Sequence, residues 1–181
     1  MQSTRYTRTA AVLHWLLFAA LIAQILFGLF LDDIPRGTPA RGMYVNLHKS
    51  TGLLIGLFIL MRLYWRLTHP APGLPRTMPN WERVAAKWSH ALLYVCMVAM
   101  PLSGYIASNF SEHGINFFNS IKLPPWGVDN KQIYAVFNTM HIVTATIFMI
   151  VIGVHVLAAI RHLASRDGIF SRMWPWGRTA G

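Results

Sequence analysis

Four long apolar stretches limit the folds that this chain can adopt. They cover residues 11–31, 47–67, 84–107 and 134–163, and a helix needs roughly 20 apolar residues to cross a hydrocarbon core of about 30 Å. Of the 181 residues, 54% are hydrophobic and only 12% are charged, against roughly 25% charged in soluble domains. We therefore expect an all-α protein, an integral membrane four-helix bundle forming a single domain over residues 1–181.

The net charge of +10 follows the predicted topology, which argues against a nucleic-acid partner. Eleven of the sixteen cations flank the stretches on one side: Arg5, Arg8, Arg62, Arg66, Arg76, Arg83, Lys87, Arg161, Arg166, Arg172 and Arg178. On the other side lie Arg36, Arg41, Lys49, Lys122 and Lys131, which Asp32, Asp33, Glu112 and Asp129 nearly balance. The positive-inside rule then places both termini in the cytoplasm. The first stretch is too long for a signal peptide and lacks a clear cleavage site, so we expect a retained helix.

Two histidines, His141 and His155, lie fourteen residues apart in the fourth stretch. On a helix, fourteen residues return to within about 40° of the starting direction and rise about 21 Å. Both imidazoles therefore face one way at two membrane depths. Polar groups within a membrane usually mark functional sites.

The other histidines in the stretches have matching depths. His14 is level with His155 near the inner side, and His48 is level with His141 near the outer side, while His90 is a further inner histidine. Facing imidazoles, with one cysteine in the chain and no carboxylate inside a stretch, favour bis-histidine ligation of haem over a zinc or di-iron site. The alternatives are buried histidines that only bond between helices, and a transporter of metal or protons, which typically needs more spans.

Further residues fit two stacked sites. Gly28, Gly52 and Gly104 lie at helical spacing from histidines and would leave room for a porphyrin, or simply allow close helix packing. Arg62 lies fourteen residues after His48, where it would pair with a haem propionate or extend to the inner interface. Candidate partners for the second ring nitrogens of the ligands are Thr144 and Ser50.

His162 lies seven residues after His155, about 10 Å closer to the cytoplasm. With His90 it could line a polar pocket for a quinone headgroup beside the inner haem. An ordinary interfacial histidine is the alternative.

Several segments resemble the bacterial cytochrome b561 family, which is related to the cytochrome b subunits of nickel-iron hydrogenases and formate dehydrogenases. In chain order they are RYTRTAAVLHW, NLHKSTG, KWSHALLYVCMVAMPLSGY, MHIVTA, GVHVLAA and RDGIFSRMWP. The resemblance implies an inner haem b held by His14 and His155 and an outer haem b held by His48 and His141. It also implies a quinone site near His90 and His162. In the alternative assignment, His90 is a haem ligand in place of His14.

The resemblance implies electron transfer across a bacterial inner membrane, with ubiquinone as the acceptor. One branch of the family oxidises superoxide at the outer face, making this chain a possible superoxide:ubiquinone oxidoreductase, and the outer cations could steer such a small anion. Because acids lie among those cations, solvated loop charges are the competing interpretation. The alternative function is a membrane anchor that relays electrons from a partner redox protein, a dehydrogenase or hydrogenase.

Overall fold

Each apolar stretch forms one long helix in the computed structural model, which describes residues 5–75 and 77–176. The helices are α1 (Arg8–Phe30), α2 (Pro39–Thr68), α3 (Asn80–Asn109) and α4 (Lys131–Ser165). Within the described ranges, these four helices are long and apolar enough to cross a membrane. The predicted all-α membrane bundle is therefore confirmed.

The helices extend beyond the apolar stretches because polar residues cap them. The Thr38 side chain accepts a hydrogen bond from the Arg41 N–H, and Pro39 occupies the first turn of α2, where a missing N–H costs nothing. Asn130 caps α4 in the same way by accepting from the N–H groups of Gln132 and Ile133. α2 therefore begins at Pro39, eight residues before the second apolar stretch.

The centre of the bundle is apolar and holds side chains from all four helices. Its buried members are Leu17, Leu21, Ile59, Cys96, Met97, Met100 and Phe148. Phe148 is 1% exposed and lies seven residues from both His141 and His155. This layer therefore separates the two histidine levels of α4.

A short antiparallel hairpin, β1 (Ile115–Phe117) and β2 (Ile121–Leu123), covers the end of the bundle that we call the hairpin end. Its turn places Phe118 and Asn119 at φ of 49° and 57°. Ser50 holds the turn on α2, because its hydroxyl accepts from the Phe118 N–H at 2.8 Å and donates to the Asn46 carbonyl at 2.6 Å. The hairpin lies between the third and fourth apolar stretches.

The opposite end, which we call the terminal end, holds the start of α1 and the finish of α4. A 3₁₀ helix, Phe170–Met173, folds back there. The Trp15 indole donates to the Met173 carbonyl at 2.9 Å, and the Arg172 guanidinium donates to Gly73 at 2.8 Å. The described part of the tail thus packs against α1 and against the segment between α2 and α3. Of the predicted inner cations, Arg76 and Arg178 lie outside the described residues.

Candidate functional site

Two pairs of imidazoles face each other inside the bundle at two levels. The ring centroids of His48 and His141 lie 6.3 Å apart, with ring planes at 87°. Those of His14 and His155 lie 6.2 Å apart, with planes at 72°. The structure thus brings together the two pairs expected from depth, one near each end.

The spacing within each pair fits an iron between two imidazoles. A metal ion lies about 2 Å from an imidazole nitrogen, so two facing ligand rings need centroids about 6 Å apart. The distances of 6.2 and 6.3 Å match this requirement. The geometry therefore suits bis-histidine ligation at both levels.

His141 reaches the backbone of α3. Its Nδ1 lies 2.8 Å from the carbonyl oxygen of Met100, which can only accept, so Nδ1 carries the proton and Nε2 is the nitrogen open to a metal. A Cβ on Gly104 would lie 2.9 Å from His141 Nδ1. Gly104 therefore makes room for the His141 ring itself.

His48 is positioned by α1. A Cβ on Gly28 would lie 3.2 Å from His48 Cε1, and the Gln24 amide nitrogen lies 3.2 Å from His48 Nδ1. Gln24 thus contacts Nδ1 of His48, and the Met100 carbonyl contacts Nδ1 of His141, in place of the suggested partners Thr144 and Ser50. A single amide in an apolar stretch was the signal that sequence reasoning missed.

His14 lies against Arg62. The guanidinium is 3.2 Å from His14 Nδ1 and donates to the Ala10 carbonyl at 3.2 Å. Arg62 is half-buried between α1 and α2, so its side chain turns toward the histidine level and does not extend to the interface. Its predicted pairing with a propionate stays a prediction.

His90 also approaches the pair at the terminal end. Its ring centroid lies 5.4 Å from that of His155, closer than the 6.2 Å between His14 and His155. Three imidazoles therefore meet at this level. An iron held between two imidazoles needs ring centroids about 6 Å apart. The distance between His14 and His155 meets this requirement, whereas the distance between His90 and His155 is shorter.

His162 forms a pair with Asp167 beyond the end of α4. Its Nδ1 lies 2.6 Å from Asp167 Oδ2, and the same carboxylate accepts from Ser165 Oγ at 3.1 Å and from the Ile169 N–H at 3.0 Å. Desolvation opposes ionisation of this carboxyl, but the hydrogen bonds from Ile169, His162 and Ser165 outweigh it and lower the pKa of Asp167 below its ordinary value. Arg166 makes the required turn at φ 53°.

An apolar cleft of about 610 Å³ opens between α1 and α4. Phe18, one turn after His14, lies on its α1 side, and Ile152 and Val156 beside His155 lie on its α4 side. The cleft is open to the outside of the bundle, and its lining residues are apolar, with neither His14 nor His155 among them.

At the hairpin end, two of the five cations expected to steer an anion are engaged by backbone carbonyls. Lys49 donates to Gly114 at 2.7 Å, and Arg41 donates to Leu31 and to Ile34. Arg36, Lys122 and Lys131 are exposed. Arg36, Lys122 and Lys131 are therefore the cations of this group that could attract an anion to the hairpin end.

The family model for prokaryotic cytochrome b561 matches residues 5–176. The chain belongs to this family. It is 28% identical to cytochrome b561 homolog 1 of Escherichia coli (strain K12) over 176 residues, covering 94% of this chain and 97% of that protein. Homolog 2 of the same organism is 27% identical over 171 residues, covering 93% and 90%. A probable superoxide oxidase CybB of Yersinia pestis is 26% identical over 131 residues, covering 71% and 73%.

Membership settles the broad chemistry. Proteins of this family bind haem b and transfer electrons in membranes, so this cytochrome b561 family member is a multi-pass bacterial membrane protein of that class.

Proposed function

We propose that this protein is a dihaem b cytochrome that carries electrons across the membrane to a quinone. His48 and His141 hold one haem at the hairpin end, and His14 and His155 hold the other at the terminal end. The observation that supports this assignment is the pair of ring spacings, 6.3 and 6.2 Å, at two levels of α4. Bound haem supplies reversible one-electron chemistry at each level.

The protein's own groups prepare both sites for electron transfer. Each haem would be held by two histidines, which would leave its iron no open position, so outer-sphere electron transfer would be expected in place of oxygen activation. The Met100 carbonyl fixes the ring of His141, and Arg62 places a positive charge beside His14. The apolar layer around Phe148 excludes water between the two levels.

We place the terminal end in the cytoplasm, since the positive-inside rule applies to the cations that flank it. Quinone reduction needs protons as well as electrons, and the terminal end offers His90 and His162 for the headgroup. Asp167 fixes the His162 ring through a 2.6 Å contact. This places proton-carrying side chains on the side of the haem held by His14 and His155.

The electron donor that best suits the hairpin end is a small anion, and superoxide is the candidate. The similarity to a probable superoxide oxidase and the exposed Arg36, Lys122 and Lys131 support it. Two superoxide ions would each give one electron and leave as dioxygen. Ubiquinone would take both electrons and two protons to become ubiquinol.

The deciding experiment combines haem counting with superoxide-driven ubiquinone reduction by the purified protein. We expect two haems b per chain by the pyridine haemochrome assay, and ubiquinol formation that superoxide dismutase abolishes. His48→Ala should lose one haem and keep the other. A single haem per wild-type chain would overturn the dihaem assignment, whereas a dihaem protein inactive with superoxide would favour relay from a partner dehydrogenase or hydrogenase.

A further inference from the structure

Gln24 is a polar side chain enclosed between two membrane helices. It is 7% exposed, although the helix around it is almost entirely apolar. Buried amides in such a setting need hydrogen-bond partners. Thr51 Oγ1 donates to Gln24 Oε1 at 2.7 Å, and Gln24 Nε2 donates to the His48 carbonyl at 2.8 Å.

The same amide contacts the ring of His48. Gln24 Nε2 lies 3.2 Å from His48 Nδ1. A Cβ on Gly52 would lie 3.2 Å from Gln24 Nε2, so Gly52 leaves the space that the amide occupies. α1 and α2 thus enclose the Gln24 side chain beside the His48 ring.

The contact between the Gln24 amide and His48 Nδ1 can take two forms, which differ in the ring nitrogen that carries the proton. A neutral ring has one N–H and one lone pair, so an amide NH₂ against Nδ1 leaves the proton on Nε2. When Nε2 binds a metal, Nδ1 must carry the proton and needs an acceptor. Rotation of the amide exchanges its nitrogen and oxygen and provides that acceptor.

The surroundings of Gln24 allow this exchange. A hydroxyl both donates and accepts, and Thr51 Oγ1 also lies 2.9 Å from the Leu47 carbonyl, to which it can donate while it accepts from the amide. The exchange gives up the bond from Gln24 to the His48 carbonyl, and because Oε1 would then stand where Nε2 lies 2.8 Å from that carbonyl oxygen, the amide must also move away from it. The bond from His48 Nδ1–H to Gln24 Oε1 replaces it.

We propose that Gln24 is a positioning residue of the haem site at the hairpin end: its amide donates to the free His48 ring and accepts from the iron-bound one. This inference rests on the proposed function of His48 and His141 as haem ligands. The other ligand, His141, contacts a backbone carbonyl, which a side-chain substitution does not remove, so the ring contact that can be tested by substitution is the one from Gln24 to His48.

The test is a redox titration of both haems in the purified holoprotein, with Q24L, Q24E and the control Q132L, which replaces an exposed glutamine of α4. An acceptor at Nδ1–H adds electron density to the ring and stabilises ferric iron. We therefore expect Q24L to raise the midpoint potential of the haem that His48→Ala removes. At alkaline pH, Q24E should lower it. The second haem, and both haems of Q132L, should keep their potentials.

Several results would decide the question. A lowered potential in Q24L would overturn the proposal, because it would mean that the amide donates to the bound ring. Unchanged potentials in both Gln24 variants would also overturn it. Loss of this haem in Q24L but not in Q24E would support it, since glutamate can still accept. Loss in both would overturn it. A wild-type protein without this haem would instead refute the proposed function, which the haem count reveals separately.

Discussion

Gly104 on α3 lies directly against the imidazole of His141 on α4, so that a Cβ added at Gly104 would be 2.9 Å from His141 Nδ1. A Cβ, which forms no hydrogen bond, does not lie under 3.0 Å from another heavy atom unless something shifts. The glycine also lets the ring reach the Met100 carbonyl at 2.8 Å. The space between α3 and α4 thus accommodates the side chain of His141.

We predict that Gly104→Ala displaces the His141 ring and removes the haem at the hairpin end. The haem content should fall from two per chain toward one, and the haem of His14 and His155 should remain. The pyridine haemochrome assay measures this. Gly42→Ala is the matched control, because a Cβ there meets nothing within 4 Å. Full haem content in Gly104→Ala would show that the ring does not need this space.

A second prediction concerns the choice between His14 and His90. The centroids of His14 and His155 are 6.2 Å apart, whereas those of His90 and His155 are 5.4 Å apart, and an iron between two rings requires about 6 Å. We expect His14→Ala to lose the haem at the terminal end and His90→Ala to retain it with weaker quinone reduction. Haem spectra of the two variants settle the assignment, and the opposite pattern would make His90 the ligand.

The spans were predictable from the sequence because lipid imposes a simple requirement on length and hydropathy. The first turns of α2 and the hairpin were not. Residues 39–46 contain Arg41, Gly42 and Asn46, which interrupt the apolar pattern, and they are helical through the Thr38 cap and Pro39. The hairpin strands have three residues each, too few for a recognisable alternation.

The pairing of the histidines followed from helix rise, but the contacts of their rings did not. The Met100 carbonyl is a backbone group, and its approach to His141 depends on how α3 and α4 lie against each other. Asp167 reaches His162 only through the left-handed turn at Arg166. Sequence spacing alone does not fix either relationship.

A third prediction addresses the charge of Arg62, whose guanidinium lies 3.2 Å from His14 Nδ1. A nearby positive charge favours the reduced haem. Arg62→Gln should therefore lower the midpoint potential of the haem at the terminal end by roughly 40–90 mV, which corresponds to about 1–2 kcal/mol for one electron. Arg66→Gln is the control, since Arg66 is exposed one turn further along α2. Equal shifts in both variants would indicate a general charge effect.

A fourth prediction concerns Asp167, whose carboxylate lies 2.6 Å from His162 Nδ1. Asp167→Asn should raise the KM for ubiquinone several-fold, because the His162 ring loses its charged partner, while both haem spectra stay unchanged. Since the pKa of Asp167 is lowered, the wild-type carboxylate remains ionised at neutral pH, and the pair is lost only as the pH falls through that lowered value. The wild-type KM should therefore not change through loss of Asp167 ionisation between about pH 5 and 8. Asp33→Asn, at the hairpin end, is the control. An unaltered KM in Asp167→Asn would place the quinone away from His162.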